Sequence, residues 1–541
     1  MYVNKRFMEK VSDIIAEFLK KNNIKNIFAI TGGASIHLIH SISKKKGMRC
    51  IYNNHEQAGA MGADGLSRSN SSPSCAIATS GPGATNLITG IGCSWFDSVP
   101  VIYITGQVTT FRLKKELKIR QLGFQETEIV SIVKSITKYA KQILKPEEIL
   151  YELEKSLYIA KEGRQGPVLI DVPDDIQRMY VNKKDLKRFI PKKKKEKKIL
   201  GIKKIENLLL KSKRPTIIFG AGANKAGNYD LIKKFVNILK IPLLTTWGAK
   251  SLISNNKLNF GTFGTHGTRH GNFCVQNSDL LIIIGSRLST RETGSPLSNF
   301  ARKAKLVMID VDINEIKKFN NLNRKIDFFI NCDSNIFFRR FLKDNKIKKN
   351  FERTNWIQQN IDWKKIFKRK LDLNSKKIDP YNFVRLFNKF SKNNSDLFID
   401  TGSCLAWFMQ DYMCKTGQRI FHDLNFTAMG WSLPASIGAS LENKKRNVVS
   451  IVGDGSFMVN SQELPLVKKY CKNLKIFIIN NKGYAMVKQT EDEWLKSLHF
   501  GTSDKDLKFS NFKKLAESSE LKYTLLKSTK DLMKLRKILS T

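Results

Sequence analysis

VVSIVGDGS (448–456) and KIFIINNKG (475–483) are the two stretches that decide the fold of this 541-residue chain. Each is a short apolar run closed by a polar turn. The residues between GDG (453–455) and NN (480–481), 456–479, read as a turn, a helix and a second strand, so the two runs lie in one parallel sheet. In open α/β folds ligands bind outside the carboxyl ends of such strands. Gly-Asp-Gly sets a carboxylate, Asp454, at that edge, and the neighbouring strand ends on a side-chain amide, Asn481. One Asp, one Asn and a nearby backbone carbonyl make a hard, all-oxygen half-shell. That set is too sparse for a Ca²⁺ cage. It suits Mg²⁺, which keeps octahedral geometry and draws its other ligands from water and phosphate oxygens. The pattern therefore predicts a Mg²⁺-anchored diphosphate, approached closely by a glycine-rich backbone.

The rest of the chain bounds this reading. Its length calls for two to four domains. Apolar residues make up 41 % and charged residues 26 %, the balance of a globular protein. The formal net charge is +46, but the lysines are spread along the whole chain. A nucleic-acid binder gathers its basic residues on one face or arm, so no nucleic-acid partner is expected, and steering of anionic small molecules is the use left for the charge. KKKKEKK (192–198) reads as a solvated linker. The eight cysteines are scattered without a CxxC, which predicts free, buried thiols in a reducing compartment. The first residues lack an apolar leader core, and no run reaches the length of a membrane span. A cytoplasmic enzyme with no membrane partner is expected.

Strands alternate with helical stretches in three blocks, at 1–180, 195–345 and 375–541. The first holds NIFAI (26–30), CAIAT (75–79), VPVIYIT (99–105) and GPVLIDVP (166–173). The second holds RPTIIFGAG (214–222), IPLLTTW (241–247), DLLIIIGSR (279–287) and KLVMIDVD (305–312). The third holds DLFIDTG (396–402) and the two opening runs. The expected fold class is α/β, with three doubly wound, parallel-sheet domains. The charged 346–374 stretch reads as a helical connector.

Nearly 400 residues upstream of the metal turn stand NNHEQAGAMGADGLSRS (53–69) and ATSGPGATNLITGI (78–91). With GDG and NN, these segments resemble the thiamin-diphosphate enzymes, and together they are similar to the acetohydroxyacid (acetolactate) synthase family. The resemblance implies pyrimidine-binding, central and diphosphate-binding domains for the three blocks. It implies that Glu56 hydrogen-bonds the aminopyrimidine of the cofactor and so activates it. Ser80, Gly81 and Asn86 would line the aminopyrimidine. Gly33, in ITGGASIHL (30–38), would turn its N–H toward a developing oxyanion, with Thr31 where these synthases carry proline. Phe124 and Gln125, in GFQETEI (123–129), would form the substrate mouth. Asp454, Asn481 and the Gly483 carbonyl would hold Mg²⁺, and Gly453, Gly455 and Ser456 the diphosphate. In FTAMGWSLPASIGA (426–439), Met429 would wedge between the cofactor's rings, while its N–H and the Thr427 carbonyl hold the pyrimidine edge. Met486 would line the same pocket.

The resemblance extends to the middle block. GAGAN (220–224), GTFGTHGTRHGN (261–272) and GSRLSTRETGS (285–295) are similar to flavin-binding segments and imply FAD, and Arg291 would engage the carboxylate of a 2-oxo acid. HxxxH at His266 and His270 lacks the Glu of a zinc motif and is not read as a metal site. The implied reaction is decarboxylation of pyruvate and joining of the two-carbon unit to a second carbonyl. The implied assembly is a homodimer or homotetramer with active sites between subunits. In it the small-residue helix face of 58–65 would pack on a partner, and a regulatory subunit could attach. Thr490 departs from the pattern, because these synthases carry tryptophan there and the chain's Trp494 comes one turn later. This leaves open a carboligase acting on a keto-sugar nucleotide, and a simple 2-oxo acid decarboxylase.

Overall fold

The computed structural model describes residues 8–192, 201–224, 228–253, 255–347, 351, 353–370, 375–442, 444–496 and 498–540. All of the KKKKEKK run except Lys192 lies outside the described residues. The chain divides into two compact units. One comprises residues to 194, 398–401 and 421–523. The other comprises 195–397, 402–420 and 524–541.

In the first unit, six strands run in the order Arg49–Tyr52, Asn26–Ala29, Ser74–Ala78, Val101–Gln107, Val168–Pro173, Tyr139–Gln142. Every neighbouring pair is parallel. NIFA, SCAIA, VIYITGQ and VLIDVP are buried at every position, as strands covered on both faces must be. The strand order reverses between Asn26–Ala29 and Ser74–Ala78. At such a reversal the following loops diverge and leave a crevice at the carboxyl edge. Those loops are the TGGA and TSGPG segments.

A four-stranded sheet has the order Arg419–Phe421, Ser395–Ile399, Asn447–Gly453, Leu474–Ile479. Its last two strands are parallel and pair Gly453 with Ile479, so the GDG and NN turns leave the same edge side by side. In the second unit six strands run Asn259–Thr262, Leu243–Thr245, Pro215–Phe219, Leu280–Ile284, Lys305–Asp310, Phe328–Asn331. All of their pairings are parallel.

Three expectations need correction. The sheets are not parallel throughout, since Met8–Lys10 pairs antiparallel with Tyr180–Asn182. MEK and YVN carry no apolar run that would announce a strand. The 346–374 stretch is more than a connector, because its helix Thr354–Ile366 buries Trp356, whose Nε1–H donates to the Pro215 carbonyl at 3.2 Å. Trp363, two turns on, packs edge-on against Trp356. Trp356, Ile357, Ile361, Trp363 and Ile366 are interspersed with amide and charged side chains, which hides that stripe. Finally, the small-residue face of helix Glu56–Asn70 is filled from within the chain, by helix Ser432–Ser440. A Cβ on Gly65 would lie 2.4 Å from the Ala435 Cα, and one on Gly438 would lie 2.1 Å from the Gly62 carbonyl oxygen. Backbone-on-backbone contact needs glycine on both sides, and SLPASIGAS is the matching surface. The cysteines are free, and all but Cys332 are buried.

Candidate active site

The crevice at the strand-order reversal gathers the residues predicted from the first block. Thr79 fixes the GGA turn: its Oγ1 accepts the Ala34 N–H at 3.2 Å, and any Cβ on Gly32 would lie 2.5 Å from the Thr79 Cβ. The Gln177 amide donates to the Ala34 carbonyl at 2.6 Å. Gly33 itself is exposed, and a Cβ there would meet nothing within 4 Å. Ser80 is buried. Gly81 turns with φ +60°, and its α-carbon faces the backbone of Gln125, which is also left-handed at φ +64°. Buried Glu126 ties that loop down by accepting the Lys114 and Leu122 amides at 2.6 and 2.8 Å. Phe124 points outward, 84 % exposed.

Glu56 opens helix Glu56–Asn70 and is half-buried. The Asn86 amide donates to its Oε2 at 3.0 Å, and its Oε1 lies near Gly83, where a Cβ would come within 3.2 Å. The turn before it is held by a residue with no local sequence signal, Glu463. Its fully buried carboxylate accepts the Asn54 and His55 N–H groups at 3.0 and 3.1 Å and the Asn53 amide at 3.4 Å. Burial pushes Glu463 up to about 7, against those three donors.

At the second edge, Asp454 is buried. Its Oδ1 accepts the Gly455 N–H at 2.7 Å and its Oδ2 the Gly483 N–H at 3.2 Å. The Lys482 and Asn481 amides also face it, yet burial still raises its pKa. Asp454 and the 481–483 backbone thus lie side by side at this edge. Gly483, at φ +143°, is locked to the chain beyond it, since a Cβ would lie 2.0 Å from the Thr502 carbonyl oxygen. Gly455 lies against the Tyr484 ring, whereas a Cβ on Gly453 would meet nothing within 4 Å. Ser456 is buried. Among the described residues no group of three or more His, Cys, Asp or Glu could hold a metal.

Thr427 and Met429 occupy a turn under Asp400, a strand-end carboxylate that the sequence reading passed over inside DLFIDTG. Asp400 accepts the Gly430 N–H at 3.0 Å and the Ser432 N–H at 2.7 Å, and burial raises its pKa. Its signal was the one used for Asp454: a carboxylate closing an apolar strand. Met486 is half-buried in helix Ala485–Thr490. Thr490 is exposed, its hydroxyl donating back to the Met486 carbonyl, and Trp494 is 81 % exposed.

In the second unit the strand order reverses between Pro215–Phe219 and Leu280–Ile284. There the GAGAN and GSR loops touch, with the Gly222 N–H donating to the Gly285 carbonyl at 2.8 Å. The Arg291 guanidinium lies 5.7 Å from the Trp247 ring centroid, and the His266 ring 5.9 Å from it. His266 Nδ1 is buried with no hydrogen-bond partner among the described residues, and burial followed by the Arg291 charge lowers its pKa.

Comparison with known proteins agrees with this geometry. Three family models match: the N-terminal TPP binding domain of thiamine pyrophosphate enzymes over residues 9–132, their central domain over 202–340, and their C-terminal TPP binding domain over 400–540. The chain is 31 % identical to acetolactate synthase 1, chloroplastic, of Nicotiana tabacum, covering 94 % of this chain and 76 % of that one. It is 31 % identical to the acetolactate synthase large subunit of Lactococcus lactis, covering 96 % and 89 %. To the acetolactate synthase large subunit of Cyanidium caldarium it is 33 % identical, covering 97 % and 90 %. The chain belongs to the thiamine pyrophosphate enzymes and, within them, to the acetolactate synthase large-subunit family.

Proposed function

We propose that this chain is a thiamin-diphosphate-dependent acetolactate synthase, which decarboxylates pyruvate and joins the two-carbon unit to a second 2-oxo acid. The carrying observation is Asp454, a buried strand-end carboxylate ringed by the amides of the 481–483 turn. A Cβ on Gly33 or on Gly453 would meet nothing within 4 Å, so the backbone at each of these strand-end turns is open to a ligand's approach. Asp454, Asn481 and the Gly483 carbonyl would hold Mg²⁺, and Gly453, Gly455 and Ser456 the diphosphate. Ser80, Gly81, Thr427, Met429 and Met486 would enclose the rings.

When bound, thiamin diphosphate supplies a carbon nucleophile and an electron sink. The protein's part is orientation and proton control. Asn86 fixes the Glu56 carboxyl, which would then hydrogen-bond the pyrimidine ring. Gly33 would donate its N–H to the oxyanion, and Phe124 and Gln125 would border the substrate's entry.

FAD in the second unit is part of the same proposal, supported by the 220–222 and 285–287 crossover and by the unsatisfied His266 Nδ1. Arg291, stacked near Trp247, would engage a 2-oxo acid carboxylate. We assign 1–180, 195–345 and 375–541 to the pyrimidine-binding, central and diphosphate-binding domains. We further propose a cytoplasmic homodimer or homotetramer, with a regulatory subunit, serving branched-chain amino acid synthesis. Among the described residues no helix is long and apolar enough to cross a membrane.

Incubation with pyruvate, Mg²⁺ and thiamin diphosphate tests the reading through its product. Acetolactate supports it; acetaldehyde alone points to a simple decarboxylase, and no ligation without a keto-sugar nucleotide points to the other carboligase. Glu56→Gln should retain the cofactor yet lose exchange of its C2 proton; wild-type exchange would remove Glu56 from this role.

A further inference from the structure

The turn that carries Met429 is strained and clamped. Thr427 has φ +59°, and a β-branched residue is crowded in that left-handed region. Such a conformation persists only where the surroundings over-determine it. On one side Asp423 Oδ2 accepts the Ala428 N–H at 2.7 Å. On the other, Asp400 accepts the Gly430 and Ser432 amides, and the Asn460 amide donates to the Gly430 carbonyl at 2.9 Å. Met429 thus lies between two amides, each held by a separate buried carboxylate. Upstream, Asp97 accepts the Leu424 and Asn425 N–H groups at 2.8 and 3.1 Å, and Phe426 stacks on Phe96 at 5.1 Å.

Asp423 is an expensive residue for this place. It is 3 % exposed, and its Oδ1 has no hydrogen-bond partner among the described residues. Asp97, Asp64 and Arg68 face it, and the Cys93 thiol is placed to donate it a weak hydrogen bond. The Arg68 guanidinium is already shared between Asp64 and Asp97, each at 2.7 Å. A buried carboxylate so poorly compensated destabilises a fold, and burial followed by the Asp97 charge pushes Asp423 up to about 7. An apolar residue would serve packing better. What Asp423 adds is the acceptor for Ala428.

We propose that Asp423 is a positioning residue for the bound pyrimidine: it holds the Thr427–Met429 turn in the strained form that presents the Thr427 carbonyl and the Met429 N–H. The proposal rests on the thiamin-diphosphate reading.

Calorimetric titration of the apo protein with thiamin diphosphate and Mg²⁺ tests it. Asp423→Ala should weaken binding about tenfold, the cost of leaving the Ala428 amide without its acceptor. Asp423→Asn, which keeps an acceptor, should stay within about threefold of wild type. Thr427→Gly removes the strain, so adding Asp423→Ala to it should cost much less than in wild type. Amide exchange in the unliganded protein should quicken at 421–431 in Asp423→Ala and not in Asp423→Asn. Asp423→Ser replaces the alanine variant if that one fails to fold, since its hydroxyl is one bond short of the Ala428 amide. Wild-type affinity in Asp423→Ala, or an equal loss with and without Thr427→Gly, overturns the proposal. A wild-type protein that takes up no thiamin diphosphate overturns the functional reading itself.

Discussion

Gly453→Ala separates the protein's stability from its ligand. Gly453 ends strand Asn447–Gly453 at φ −71° and ψ 157°, an ordinary extended conformation. A methyl group there meets nothing within 4 Å. Alanine therefore adds no clash, and it restricts the unfolded chain, which stabilises by about 0.4–1 kcal/mol. In a chain of this size that moves the melting temperature by roughly 2 °C or less. With diphosphate against the Gly453 backbone, the same methyl stands where phosphate oxygens would be. Displacing one or two charge-assisted hydrogen bonds, each about 1.5–3 kcal/mol, weakens binding by between about tenfold and about 10⁴-fold. The assay is thermal unfolding of the unliganded variant beside calorimetric titration with thiamin diphosphate and Mg²⁺. Gly455→Ala is the contrast, since its Cβ would lie 2.2 Å from the Tyr484 Cε1 and should lower both stability and affinity. A Gly453→Ala protein that is stable and binds within about threefold of wild type refutes the placement of the diphosphate.

Gly65→Ala should lower stability by about 1–2 kcal/mol, because backbone atoms on the facing helix cannot rotate out of the way and overpacking outweighs the helix-propensity gain; an unchanged denaturant midpoint would contradict the helix contact. Asp171 is buried among Thr105, Gln107 and Gln142, and burial pushes it up to about 6. A carboxyl raised from about 3.9 in the unfolded chain contributes its full stability below that value, and loses about 3 kcal/mol as pH rises through the folded one. Asp171→Asn should therefore flatten the stability profile between about pH 4 and pH 6, and an identical profile in the variant would assign the slope elsewhere. Phe124→Ala should leave stability within about 0.5 kcal/mol, as its side chain is almost fully exposed, while KM for pyruvate rises; an unchanged KM removes Phe124 from the substrate mouth.

The GDG and NN turns were legible because their parts are local. Asp454 and Asn481 each end an apolar run, and adjacent parallel strands bring their ends together without outside help. Glu56 and Asn86 were legible by resemblance, and the structure joins them through one hydrogen bond. Asp400 could have been read by the rule applied to Asp454. Glu463, Asp97 and Asp423 could not. Glu463 serves a turn about 400 residues upstream, and Asp97 one more than 300 residues downstream.

By itself, then, the chain's order of residues determined the strands, the glycine turns that close them and the chemistry offered at the strand ends. β-branched runs and backbone torsions act within a few residues, so they can be read in line. Only the tertiary structure decided which buried carboxylates hold those turns, and that the small-residue face of helix Glu56–Asn70 is covered by the chain's own Ser432–Ser440. A buried charge is tolerated only by what surrounds it in space, and for Asp423 those surroundings come from three separate stretches of chain.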